Sequence, residues 1–192
     1  RESEVFSKVI VAALLNAALA MGYIHMLPVF AKDVLGVDSR GLGLLASAAG
    51  MGAVCGLLSY TWLQARTTPR NAMVYALSAY CCALIGVALS GWFWLSFVLL
   101  LVVGLNQAYF MTSCQVILQT LVDDQYRGRV MAVFTLVWSL VYLSGFLLNF
   151  AGSLTGPRAA LAGGAAIVLC YVWLSLVRSA ALRRLVLAPR AS

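Results

Sequence analysis

The chain has 192 residues, of which 63% are hydrophobic and 10% charged, and its mean hydropathy is +0.95. A water-soluble domain of this size cannot cover so much apolar surface with polar residues, so a bilayer is its natural solvent. The net charge of +7 raises nucleic acid as a partner, but the placement of the charges argues against it.

A helix needs roughly 20 apolar residues to cross the hydrocarbon core. Six segments qualify, at about 9–31, 41–65, 71–89, 93–122, 130–156 and 159–177. The first run, Val9 to Ala31, has no cleavage site and is long enough to span, so it is not a signal peptide. Pro28 would kink or thin its last turn. The loop KDVLGVDSR follows, from Lys32 to Arg40. The second span is rich in glycine, and Gly52 and Gly56 have the small-residue spacing of a helix–helix contact. The uncharged run from Asn71 to Val122 is too long for one crossing and breaks at Ser90-Gly91-Trp92. Trp92 and Trp94 flank that turn as interfacial anchors. VDDQYRGRV, Val122 to Val130, then packs four charges between two apolar runs. The chain opens on Arg1, not Met, and is expected to start inside a longer gene product or to have been trimmed.

Ten of the 13 basic residues fall on one side if the N-terminus is cytoplasmic: Arg1, Lys8, Arg66, Arg70, Arg127, Arg129, Arg178, Arg183, Arg184 and Arg190. Lys32, Arg40 and Arg158 fall on the other. That bias predicts both termini in the cytoplasm. It makes the lipid bilayer the partner of this charge, not nucleic acid. Cys55, Cys81, Cys82, Cys114 and Cys170 lie inside apolar spans without metal-ligand spacing, and read as small packing residues.

The second span opens RGLGLLASAAG and later carries Gly56-Leu57-Leu58. The fifth opens RGRVMAVF and carries Gly145-Phe146-Leu147-Leu148 at nearly the same distance. Spans two and five would correspond in two three-helix repeats, inserted upside down relative to each other because each holds an odd number of spans. LPVFAKDVLGVDSRGLGLLASAAGMGAVCGLL, from Leu27 to Leu58, resembles the seventh and eighth helices of major facilitator superfamily transporters. The likeness is strongest to the bacterial exporter branch that includes the enterobactin exporters. QTLVDDQYRGRVMAVFTL, from Gln119 to Leu136, resembles the loop between their tenth and eleventh helices. The resemblance implies an all-α membrane fold: the C-terminal six-helix half of a twelve-helix transporter, multi-pass in the bacterial inner membrane. One departure is the loop QARTTPRN, Gln64 to Asn71. The family often repeats a basic gating motif with an Asp there, and no acid is present.

No Asp, Glu, Lys or Arg lies within a predicted span. Uncharged polar residues do. Thr135, Trp138, Ser139, Tyr142 and Asn149 are spaced i, i+3, i+4, i+7 and i+14, which at about 100° per residue makes one stripe. Asn106, Tyr109 and Ser113 share a face of the fourth span, and Asn16 and Tyr23 a face of the first. The resemblance implies that the first, second, fourth and fifth spans surround a central cavity, so these residues are expected to line it. They could instead bond neighbouring helices. Asp123, Asp124, Arg127 and Arg129 are expected either to form an inner gate or only to fix topology and helix ends. His25, the sole histidine, reads as an interfacial packing residue or a titrating switch.

With one histidine, no intramembrane acid and neither H-E-x-x-H nor G-x-S-x-G, the chain offers no catalytic constellation, and no cofactor is expected. The expected function is export of a small amphipathic molecule by alternating access. A second six-helix bundle, either a missing N-terminal half or another copy, would complete the path. The competing expectation is a transporter-derived subunit that scaffolds a larger membrane complex and transports nothing.

Overall fold

The computed structural model describes residues 2–121 and 124–177. All the regular elements among them are helical. The first span is not one uniform helix. α1 (Glu2–Leu15) leads into a π-helical turn at Asn16–Ala20, and α2 (Tyr23–Asp33) follows. In that turn Met21 N–H donates to the Asn16 carbonyl at 2.8 Å, five residues back. The widened turn advances each residue by less than the usual helical step. Pro28 lies inside α2, and the helix continues past it to Asp33, so the expected disruption at Pro28 is absorbed.

Short-range chemistry sets the next boundaries. Gly36, with φ 63°, adopts the left-handed conformation that lets the chain leave α2. Asp38 then caps α3 (Ser39–Arg66) by accepting from Gly41 N–H at 3.0 Å. Thr68 caps α4 (Pro69–Leu89) through Asn71 N–H at 3.4 Å, with Pro69 in the first turn. Ser90 closes the tight turn to α5 (Phe93–Leu121), its hydroxyl accepting from Trp92 N–H and from the Ser96 hydroxyl.

α6 (Asp124–Thr155) begins earlier than the sequence suggests. Asp124 to Val130, expected to join two spans, are helical backbone that runs on into the fifth span, and Val122 and Asp123 lie outside the described residues. From Asp124 onward the charges interrupt the apolar run without interrupting the helix. Gly156 (φ 90°) and Pro157 make the turn into α7 (Pro157–Tyr171), which passes into a π-helical segment, Val172–Val177.

Five stretches are long and apolar enough to cross a membrane: Ser7–Asp33, Ser39–Arg66, Pro69–Leu89, Phe93–Thr120 and Pro157–Ser175. Ser139–Thr155 adds a shorter apolar stretch on α6. The packing exchanges helices between the two halves of the chain. α3 lies along α5, and α6 lies along the first span. α4 and α7, the third helix of each half, pack on each other. This is the arrangement of two inverted three-helix repeats, in which the middle helix of each repeat leans on the first helix of the other.

The centre is filled by Met26, Phe30, Tyr80, Leu84, Leu100 and Phe110, all essentially inaccessible. The outside carries Leu44, Met51, Leu58, Trp62, Leu147 and Leu154, all exposed. In water such a surface would drive association; in a bilayer it is the solvated face. Between α3 and α5 the backbones touch. A Cβ on Gly56 would lie 2.7 Å from the Leu105 carbonyl oxygen, and one on Gly52 would collide with the Leu101 carbonyl. Gly104 of α5 meets the Ala49 carbonyl in the same way.

Candidate functional site

The polar residues of the spans separate into two groups. One group fastens helices together. Tyr109, half-buried, shares a 2.7 Å hydrogen bond with the Ser59 hydroxyl. Ser113, fully buried, pairs with the Tyr60 hydroxyl at 3.1 Å, and Gln64 Nε2 donates to the same Tyr60 oxygen at 3.1 Å. The rings of Tyr60 and Tyr109 lie 6.2 Å apart. Tyr109 and Ser113 therefore hydrogen-bond to α3, Ser113 in full burial and Tyr109 with part of its surface accessible. The glycine contacts bring the two helices close enough for short side chains to meet. Asn106 is half-buried and donates to the Val102 carbonyl of its own helix at 2.9 Å.

Asn16 and Tyr23 also depart from the expected cavity face. Asn16 is completely buried, and its Nδ2 reaches Gln107 Oε1 of α5 at 3.5 Å. Its Oδ1 has no hydrogen-bond partner. Tyr23, 5% exposed, sets its ring edge-on to Tyr80 of α4 at 6.4 Å. One side chain addresses α5 and the other α4. The π-helical turn between them spoils the uniform 100° step on which their shared face rested. Gln107, which carried no signal of its own beside Asn106, is the residue that meets Asn16; its Nε2 also contacts the Met21 sulfur at 3.4 Å.

The second group stays open. On α6, Thr135 and Ser139 are exposed, Tyr142 is 75% exposed and Asn149 is half-buried. Beside them on the same helix runs a purely apolar exposed strip: Leu143, Leu147, Phe150 and Leu154. The outer surface of α6 is thus split lengthwise into a polar–aromatic half and an apolar half. α3 differs. Gly43, Ser47, Gly50 and Thr61 are exposed, but Val54 and Leu57 are exposed among them, with Leu44, Met51, Leu58 and Trp62 alongside, so the outer surface of α3 is mixed. Sequence spacing alone did not single out Ser47 and Thr61, because hydroxyl residues in membrane helices so often bond their own backbone; Ser47 does donate to the Gly43 carbonyl at 2.8 Å.

His25 joins α2 to the polar half of α6. Its ring lies 5.8 Å from that of Tyr142, tilted by 39°. A Cβ on Gly145 would lie 2.6 Å from the imidazole Cδ2, so only glycine leaves room for the ring there. Asn149 Nδ2 donates to the Gly145 carbonyl at 2.8 Å and approaches the His25 carbonyl at 3.5 Å. His25 is exposed, so it packs on α6 while keeping one side open.

At the junction of α3 and α4, the Arg66 guanidinium sits 4.2 Å above the Trp62 ring. Asp123 lies outside the described residues, as do the side-chain positions of Asp124, Arg127 and Arg129. Among the described residues, no three His, Cys, Asp or Glu side chains come together as a metal site.

A helical bundle with exchanged inverted repeats and one lengthwise polar face is a construction found in membrane carriers. The family model described as Major Facilitator Superfamily matches residues 1–146, three-quarters of the chain. The chain belongs to the Major Facilitator Superfamily, a family of multi-pass membrane transporters. No curated protein matches it.

Proposed function

We propose that this chain forms one of the two six-helix bundles of an alternating-access exporter, and that the polar half of α6 faces its partner bundle across a water-filled path. The supporting observation is the lengthwise division of α6. Thr135, Ser139 and Tyr142 lie beside Leu143, Leu147 and Leu154 on one exposed surface. A helix surrounded by lipid has no reason to segregate its hydroxyls, whereas a helix at the edge of an aqueous cleft meets two solvents. The partner is a second six-helix bundle, the N-terminal half of a longer chain or another copy.

The mixed character of the wall, phenol and hydroxyl beside Phe146, suits a small amphipathic molecule. Export is the direction suggested by the likeness of Leu27–Leu58 and Gln119–Leu136 to the enterobactin-exporter branch. In the bacterial inner membrane, with both termini cytoplasmic, Asp123, Asp124, Arg127 and Arg129 would stand at the inner mouth, where ion pairs to the other bundle could make and break as the bundles rock.

The test is flux of a fluorescent amphiphile in proteoliposomes holding both bundles, with Ser139→Trp as the obstructing variant. The reading expects flux in the parent and its loss in the variant, with insertion intact. A parent assembly that moves no solute, or a variant that moves it at the parental rate, overturns it; the former result would favour a scaffold within a larger complex.

A further inference from the structure

We infer that His25 and Tyr142, held in place by Asn149, form a ligand-contact subsite at the junction of α2 and α6, suited to an aromatic ring that carries a hydrogen-bond acceptor, such as an aromatic carboxylate. The inference rests on the proposed transport reading and gives it a substrate class.

The cluster is built from residues more than a hundred positions apart, yet its parts hold one another. Gly145 leaves the α6 backbone bare where the imidazole lies. Asn149 ties the same stretch of backbone to α2, through the Gly145 and His25 carbonyls. The His25 ring meets the Tyr142 ring at 5.8 Å and 39°, so the phenol is steadied from one side and remains 75% exposed. Phe146, one turn on and 68% exposed, extends the aromatic surface. Ring faces arranged in this way accept a flat ring by offset stacking or edge contact, at little cost in side-chain ordering.

The polar complement favours a ligand that accepts hydrogen bonds. Imidazole and phenol both bring a donor hydrogen. From Val9 to Ala31 and from Val130 to Pro157 the chain holds no Asp or Glu, so these two spans bring no carboxylate to pair with a cation. Aromatic faces alone attract organic cations. With an imidazole donor beside them and no acid on either span, an acceptor-bearing aromatic fits better.

His25 is the chain's only histidine, so selective ¹³C-histidine labelling of the full chain in lipid nanodiscs reports this site with one ring resonance. The probe is 1-naphthoate, compared with cyclohexanecarboxylate and 1-naphthyltrimethylammonium. A saturable ring-current shift with 1-naphthoate is expected, with the other two at least several-fold weaker. Tyr142→Leu should weaken the naphthoate midpoint by about three- to tenfold, the value of one aromatic pair. Tyr142→Phe should restore most of it. Because Tyr142 is largely exposed, its replacement leaves the bundle packing in place. No shift with naphthoate, an equal response to cyclohexanecarboxylate, tighter binding of the ammonium probe, or an unchanged midpoint in Tyr142→Leu would each overturn the inference. The resonance reads binding without flux, so a failure of transport leaves this result independent.

Discussion

Adding a single methyl group at Gly52 should push α3 away from α5. The new Cβ would collide with the Leu101 carbonyl oxygen and lie 2.8 Å from its carbon and 3.0 Å from Leu105 N. All three atoms belong to backbone, so no side chain can swing aside. The helices must part by several tenths of an ångström or more, which also loosens Gly56 against Leu105 and Gly104 against Ala49. Overpacking of this kind costs about 1–3 kcal/mol. Alanine's better helix propensity offsets up to about 1 kcal/mol of it. Gly52→Ala should therefore be destabilising by about 1–2 kcal/mol. Gly50, two residues earlier, has nothing within 4 Å of its would-be Cβ, so Gly50→Ala should be neutral or stabilising by up to about 1 kcal/mol. Reversible unfolding in mixed micelles, followed by circular dichroism, measures both. Gly52→Ala combined with Gly104→Ala should cost less than the two single effects added, since both force the same pair of helices apart. If Gly52→Ala matches Gly50→Ala in sign and size, the backbone-to-backbone contact between α3 and α5 is not formed.

Three further outcomes follow from particular contacts. Tyr60→Phe and Ser113→Ala should be coupled in a double-mutant cycle by about 0.6–2 kcal/mol, whereas Tyr60→Phe and Ser139→Ala should be additive; coupling near zero in the first cycle would remove the interhelical bond. Asn16→Leu should cost no stability, or add some, because Asn16 Oδ1 is buried without a partner and its one hydrogen bond is long at 3.5 Å. A loss above about 1 kcal/mol in unfolding would mean that the amide is better satisfied than this. Arg127→Gln with Arg129→Gln should leave insertion intact, as judged by protease protection, and slow the flux of the two-bundle assembly; parental flux would reduce the pair to topological markers.

The fold was legible because membrane helices announce themselves by length and apolarity, and because charged loops and the break at Ser90-Gly91-Trp92 separate them. The faces were less so. A helical wheel assumes a constant step, and the π-helical turn at Asn16–Ala20 removes that assumption between Asn16 and Tyr23. On α5, the wheel placed Asn106, Tyr109 and Ser113 together but carried no information on which neighbour they meet. That neighbour is α3, brought close by Gly52, Gly56 and Gly104. The α6 stripe could be read directly because a regular helix runs unbroken from Asp124 to Thr155, so 100° per residue holds throughout. His25 reads from the sequence as a packing residue or a switch, but its companion Tyr142 lies more than a hundred residues away, and a single sequence holds no record of that pairing.

The central claim is that one half of the exposed surface of α6 faces water and the other half faces lipid. Thiol accessibility tests it most directly. In a background with the five native cysteines replaced, single cysteines at Thr135, Ser139 and Tyr142 are compared with those at Leu143, Leu147 and Leu154 in the membrane-embedded two-bundle assembly. A membrane-impermeant, water-soluble thiol reagent should label the first set, from one side or the other, and leave the second set unreacted. Equal labelling of the two sets, or protection of Ser139 and Tyr142 together with Leu143 and Leu147, would contradict the account.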